Sequence, residues 1–122
     1  MEKKLYAKLT VQLFTDDKCF GPGIAELLHR VEETHSLRSA AASMGMAYSK
    51  AWTILKRCEE HLGFRLVHST TGGRNGGGTA LTQDADQMLR AYDALCAQLN
   101  ACAGALMEEQ FSFFRSHGTE VP

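Results

Sequence analysis

No apolar run in the 122-residue sequence approaches the ~18–20 residues of a membrane-spanning helix, so no membrane role is expected. The start, Met1-Glu2-Lys3-Lys4, leads into alternating residues and not into the apolar block of a signal peptide. The expected location is the cytosol. Cys19, Cys58, Cys96 and Cys102 form no CxxC pair, which argues against a structural zinc site. They are expected to be reduced thiols, mostly small core residues. The five histidines, at 29, 35, 61, 68 and 117, have no HxxxH or similar ligand spacing. No Gly-Lys-Ser/Thr follows the glycine-rich stretch, and no Ser/His/Asp or Cys/His constellation is recognisable. These gaps point away from an enzyme and from a bound metal or cofactor.

What is present is an ordinary globular composition, with 44% hydrophobic and 22% charged residues, enough for one domain with a modest core. The net charge of −1 conceals an asymmetry. Residues 36–82 carry Arg38, Lys50, Lys56, Arg57, Arg65 and Arg74 against Glu59 and Glu60, whereas residues 83–122 carry six acids against two cations. A basic middle followed by an acidic end suits a polyanionic partner for the middle.

Residues 4–14 alternate strictly. Leu5, Ala7, Leu9, Val11 and Leu13 share one face, and Lys4, Tyr6, Lys8, Thr10 and Gln12 the other, which predicts a half-buried strand. Asp16-Asp17-Lys18 reads as a turn. A helix over 22–34 opens on Pro22, where the missing N–H costs nothing, and buries Ile24, Leu27, Leu28 and Val31. Ser36 caps a short second helix over 37–43, which ends at Gly45. A third helix over 47–61 has Ala51, Leu55, Cys58 and Leu62 as its inner stripe and stops at Gly63. Short strands over 64–68 and 79–81 flank a glycine-rich loop, residues 69–78. Thr82 caps a long last helix that ends between 105 and 115, and 116–122 reads as a disordered tail.

Two helices joined by a glycine turn, with paired alanines Ala40 and Ala41 at the crossing, make a helix-turn-helix, and the strand–loop–strand after it adds a wing. The expected class is mainly α with a small β-sheet: a winged helix-turn-helix over 1–115 with a long C-terminal dimerisation helix. If Ala51, Leu55 and Cys58 face inward, then Tyr48, Ser49, Trp52, Thr53 and Lys56 face outward. Aromatic area beside cations suits a partner surface, although a tryptophan in the core is the plainer reading of Trp52. In the DNA-binding reading, Tyr48, Ser49, Trp52 and Thr53 touch bases, while Arg38, Lys50, Lys56 and Arg74 hold phosphates. Arg74 would sit at the wing tip. The last helix repeats apolar residues at Ala85, Leu89, Tyr92, Leu95, Cys96, Leu99, Cys102, Ala103 and Leu106, a stripe too wide for one small domain to cover, which predicts a homodimer. Two other function classes fit part of the pattern: a protein–protein module using Tyr48 and Trp52, and an oxyanion-binding protein using the glycine loop.

Ala40-Ala41 followed by Gly45-Met46-Ala47-Tyr48-Ser49-Lys50-Ala51-Trp52 resembles the N-terminal winged-helix domain of ModE-type molybdate-responsive regulators. The block Leu62-Gly63-Phe64-Arg65-Leu66-Val67 is shared more widely, with LysR-type regulators. The stretch from Thr71 to Thr82 is similar to the ModE wing and is the most specific part of the likeness. The resemblance covers about residues 5–106. It implies a cytoplasmic, dimeric, sequence-specific regulator that binds double-stranded DNA and dimerises through its last helix. Departures are specific. The family commonly has Ser and Lys where Ala47 and Ser49 stand, which alters a cap and a phosphate contact. His68 and Ser69 replace a Glu-Arg pair, Asn75 replaces a wing glycine, and Ala85 stands where a glycine is usual. The family's molybdate-binding residues belong to C-terminal domains that have no counterpart in these residues, so the resemblance does not carry molybdate binding to this chain.

Overall fold

The computed structural model describes residues 3–70 and 78–114, and these fall into two compact units, one of residues 11–70 and 78–92 and one of residues 3–10 and 93–114.

The first unit is the winged helix-turn-helix. Its elements are β1 (Leu13–Phe14), β2 (Lys18–Phe20), α1 (Pro22–Thr34), α2 (Leu37–Ser43), α3 (Tyr48–Leu62), β3 (Val67–Thr70), β4 (Gly78–Leu81) and the first turns of α4 (Gln83–Gln110). Helix α1 starts on Pro22 as expected. It ends where His35 takes a left-handed conformation (φ 58°) and returns its N–H to the Val31 carbonyl at 2.8 Å. Ser36 caps α2 by accepting the Ser39 N–H at 3.0 Å. Gly45, at φ 67°, makes the turn between α2 and α3, and Gly63, at φ 84°, ends α3; both need the freedom that lacking a Cβ provides. Thr82 caps α4 through the Ala85 N–H at 3.0 Å.

Alternate turns of the helices meet in one aliphatic core. Leu27, Leu28 and Val31 of α1, Leu37, Ala40 and Ala41 of α2, and Ala51, Leu55 and Cys58 of α3 are buried together with Leu66, Val67, Ala85 and Leu89. Each fully buried Leu or Val stabilises the fold by roughly 1.5–3 kcal/mol over its exposed state. The small side chains of Ala40, Ala41 and Ala51 let α2 and α3 cross closely. Phe20 and Tyr92 add an edge-to-face pair at 5.0 Å, and the buried Tyr92 hydroxyl donates to the Val11 carbonyl at 2.8 Å, which satisfies its polar end. The wing is an antiparallel hairpin in which Val67 pairs with Leu81 and Thr70 with Gly78. It docks on the α1–α2 junction, because the His35 carbonyl accepts the Thr79 N–H at 2.9 Å and the Thr79 hydroxyl accepts the Leu37 N–H at 3.1 Å.

Several expectations need correction. The strand expected over 4–14 exists only at Leu13–Phe14, paired with β2 across a two-residue-to-three-residue hairpin. Residues 3–10 have no strand partner among the described residues, and alternation without a partner ladder does not make a strand. Strand β2 starts at Lys18, inside the expected Asp16–Lys18 turn, and is too short to show an alternation of its own. Strand β3 lies at 67–70 and not 64–68, because Leu66 closes the turn after α3 with its N–H on the Glu59 carboxylate at 2.7 Å. Leu62 and Ile24, expected inside, are half-buried. Of the four cysteines, all free thiols, Cys19 and Cys58 lie in the core, whereas Cys96 is half-buried and Cys102 exposed. Burial, with Cys19 and Glu59 nearby, pushes the Cys58 thiol up to about 12, so it stays protonated. The stretches 71–77 and 116–122, with the expected wing tip and tail, lie outside the described residues.

In the second unit the distal part of α4 half-buries Cys96, Ala103 and Met107 but leaves its leucines largely open. Leu95, Leu99 and Leu106 are 39%, 38% and 50% exposed. No charged residue occurs between Asp93 and Glu108.

Candidate nucleic-acid interface

Helix α3 presents its inner stripe to the core and therefore turns the opposite face outward. Ser49, Lys50, Thr53 and Lys56 are exposed, Tyr48 is at the exposed margin, and Trp52 is half-buried. Trp52 is thus neither a core residue nor a fully solvated one. Its ring meets Tyr48 edge-on at 6.3 Å, one turn earlier. The Lys56 ammonium lies over the Trp52 ring at 5.6 Å, and the Arg38 guanidinium of α2 lies over the Tyr48 ring at 4.2 Å. Cation and ring attract through the ring's quadrupole, by ~0.5–1 kcal/mol at exposed sites. The result is a ridge running from α2 to α3 in the order Arg38, Tyr48, Trp52, Lys56, cation at each end and aromatic in the middle. The sequence offered these four residues, but their stacking across two helices is a tertiary fact that helical spacing alone does not contain.

The start of α3 is open. Ala47 is its N-cap and provides no side-chain hydrogen bond, in line with the expectation that alanine there alters a cap. The first-turn N–H groups beside Tyr48, Ser49 and Lys50 are therefore donors without a side-chain acceptor at the cap. Thr53 is less free than its position suggests, since its hydroxyl donates to the Ser49 carbonyl at 3.0 Å.

Not every cation of the basic middle belongs to this face. Arg57 pairs with Asp17 in the β1–β2 turn at 3.0 Å, and His61 lies 3.1 Å from Asp16. These contacts fasten α3 to the hairpin. The Asp17 carboxyl is held below its ordinary value of 3.8, first by the Lys18 backbone N–H at 2.8 Å and then by Arg57. Elsewhere Arg30 ties Glu26 (2.9 Å) to the Ser43 carbonyl at the end of α2 (3.0 Å), and Arg90 ties Glu32 of α1 to Asp86 of α4. Arg30, Arg57 and Arg90 thus hold elements of the fold together. Arg74 lies outside the described residues. Among the described residues, no cluster of three or more His, Cys, Asp or Glu side chains could hold a metal ion.

Comparison with known proteins gives one family. The model described as "Bacterial regulatory helix-turn-helix protein, lysR family" matches residues 25–86, from α1 to the first turn of α4. Among curated proteins, the chain is 36% identical over 91 residues to "Transcriptional regulator ModE" of Haemophilus influenzae, covering 75% of this chain and 34% of that protein. It is 31% identical over 91 residues to "DNA-binding transcriptional dual regulator ModE" of Escherichia coli K12, covering 75% and 33%. It is 35% identical over 69 residues to "Molybdenum transport protein ModE" of Herbaspirillum seropedicae, covering 57% and 26%. The chain spans about a third or less of the length of these relatives.

Proposed function

The chain belongs to the lysR family of bacterial regulatory helix-turn-helix proteins, and from that premise we propose that it is a transcriptional regulator that binds double-stranded DNA as a homodimer. The observation that carries the DNA-binding reading is the Arg38–Tyr48–Trp52–Lys56 ridge, from α2 across the outer face of α3, beside a helix start without a side-chain cap. Helix α3 enters the major groove with its first turns at the base edges. There Tyr48, Ser49, Trp52 and Thr53 meet bases, and Arg38, Lys50 and Lys56 neutralise phosphates. Arg74 joins them on its sequence position between β3 and β4. Its place of action is the cytoplasm, with the DNA.

The dimer reading rests on α4. Its distal part carries three leucines that are a third to a half exposed and no charge for fourteen residues, and a copy of the same helix covers such a face by two-fold symmetry. Two recognition helices related by that axis read a palindrome with half-sites one turn, or a multiple, apart. What the names of the molybdenum-related proteins say stays with those proteins, because the likeness reaches only about a third of their length.

The surface aromatic pair, Tyr48 at the exposed margin and Trp52 half-buried, also favours a second reading, a protein partner docked on it. Selection of bound fragments from sheared genomic DNA separates the two. Enrichment of a palindromic motif supports the proposal. Fragments recovered without any shared motif count against it.

A further inference from the structure

The alternating segment before β1 has the side-chain pattern of a strand and no ladder. Residues 3–10 run with no assigned helix or strand, and none of their backbone groups bonds to another described residue. Neither face is buried: Tyr6 is 72% exposed, and on the other face Leu5, which lines a cavity with Met107 and Phe111, is still 42% exposed and Leu9 40%. Lys3, Lys4 and Lys8 have no ion-pair partner among the described residues. An exposed row of unpaired N–H and C=O groups with alternating side chains is a template for another strand. The segment belongs to the same compact unit as the distal part of α4.

We propose that residues 4–10 pair antiparallel with residues 4–10 of a second copy of this chain, about a two-fold axis at Ala7. This rests on the homodimer reading above and adds to it a second contact and a register. Residues opposite each other in an antiparallel pair point to the same face, so Leu5, Ala7 and Leu9 must oppose one another, as must Lys4, Tyr6, Lys8 and Thr10. Two-fold symmetry then requires the axis to pass through a residue. An axis at Tyr6 sets Lys4 against Lys8, and an axis at Lys8 sets that lysine against itself; like charges directly opposite are unfavourable. An axis at Leu9 draws in Val11, whose carbonyl already holds the Tyr92 hydroxyl, and Leu13, which already pairs with Phe20. An axis at Leu5 leaves most of the free segment unpaired.

An axis at Ala7 meets every condition. Leu5 then opposes Leu9 of the second copy, Lys8 opposes the Tyr6 ring, and Lys4 opposes Thr10. Among the described residues, nothing bonds to the backbone involved. The alternation in the sequence is therefore a strand pattern that the second copy completes.

Cysteine cross-linking tests the register. Opposite residues in an antiparallel pair have Cα atoms about 4.5–5.5 Å apart, within disulfide reach, whereas residues offset by four positions are more than ~13 Å apart along the strand. In a chain carrying Cys96→Ala and Cys102→Ala, Ala7→Cys treated with diamide, which takes the two thiol hydrogens, gives a covalent dimer on a non-reducing gel. Leu5→Cys alone gives at least tenfold less, and Leu5→Cys mixed with Leu9→Cys restores it. Sedimentation equilibrium of the unsubstituted chain and of the Cys96→Ala, Cys102→Ala chain is run alongside. A dimer by sedimentation with no Ala7→Cys cross-link, or with equal cross-linking from Leu5→Cys alone, overturns the strand pairing and leaves the α4 dimer standing. A monomer by sedimentation removes the dimer reading and the pairing with it.

Discussion

Asp17 shows how single residues position the candidate interface without touching it. Its carboxylate accepts the Lys18 N–H and pairs with Arg57 of α3, and both hold its pKa below 3.8. A depressed folded-state pKa means that the contribution is present above the ordinary carboxylate value and is lost as pH falls through the lowered one. The thermal midpoint of the unsubstituted protein should therefore exceed that of Asp17→Asn near pH 6, and the gap should close as the pH is taken from 5 towards 2. Calorimetry across that range checks it, and a gap that widens on acidification contradicts the assignment. Trp52 carries the other decision at this scale. It is half-buried, with one ring face under Lys56. Trp52→Ala should abolish DNA binding and cost well under the ~3–5 kcal/mol of deleting a fully buried aromatic, as read by denaturant unfolding. Tyr48, Trp52 and Lys56 were legible in the sequence because their outward direction follows from the inward Ala51–Leu55–Cys58 stripe; Arg38, on α2, was legible only as a cation of the basic middle. The diversion of Arg57 to Asp17 was not, because a count of charges does not say which cation a distant carboxylate will take.

Elements with local signals sit where the sequence put them. Helices α1 and α2 run over the expected residues, since Pro22, Ser36 and Gly45 mark their ends through backbone chemistry that needs no tertiary partner. Helix α3 is displaced by one residue and stops at Gly63 as expected. The strands were read less well, because a strand is defined by its partner. Alternation over 4–14 is real in the sequence, yet only Leu13–Phe14 finds a ladder within the chain, and β2 is too short to carry a pattern of its own. The wing illustrates the tertiary side of the same rule. A Cβ added at Gly78 would lie 2.5 Å from the His35 carbonyl oxygen, at the point where β4 docks on the α1–α2 junction. Gly78→Ala should push the wing off that junction and destabilise the fold by about 1–3 kcal/mol, the usual range for overpacking. A denaturant midpoint equal to that of the unsubstituted protein would show that the docking contributes little.

The whole molecule combines a helix-turn-helix, a wing and a last helix that serves two purposes. The apolar stripe of α4 was legible as a repeat, and the structure divides its use: Ala85, Leu89 and Tyr92 are buried in the winged unit, while Leu95, Leu99 and Leu106 stay open. Leu99→Asp should give monomers in sedimentation equilibrium at micromolar concentration and weaken operator binding at least tenfold, because an unpaired charge cannot be buried at the seam. Its thermal midpoint at high dilution should match that of the unsubstituted chain, since Leu99 is outside the core. The central claim is that the outer face of α3 binds the phosphates and bases of DNA, and a salt-titrated DNA-binding measurement tests it most directly. The account predicts a steep linear fall of log affinity with log salt, with the slope lowered by roughly one for Lys56→Ala and again for Arg38→Ala in each protomer that binds. An affinity independent of salt, or slopes unchanged by both substitutions, would contradict it.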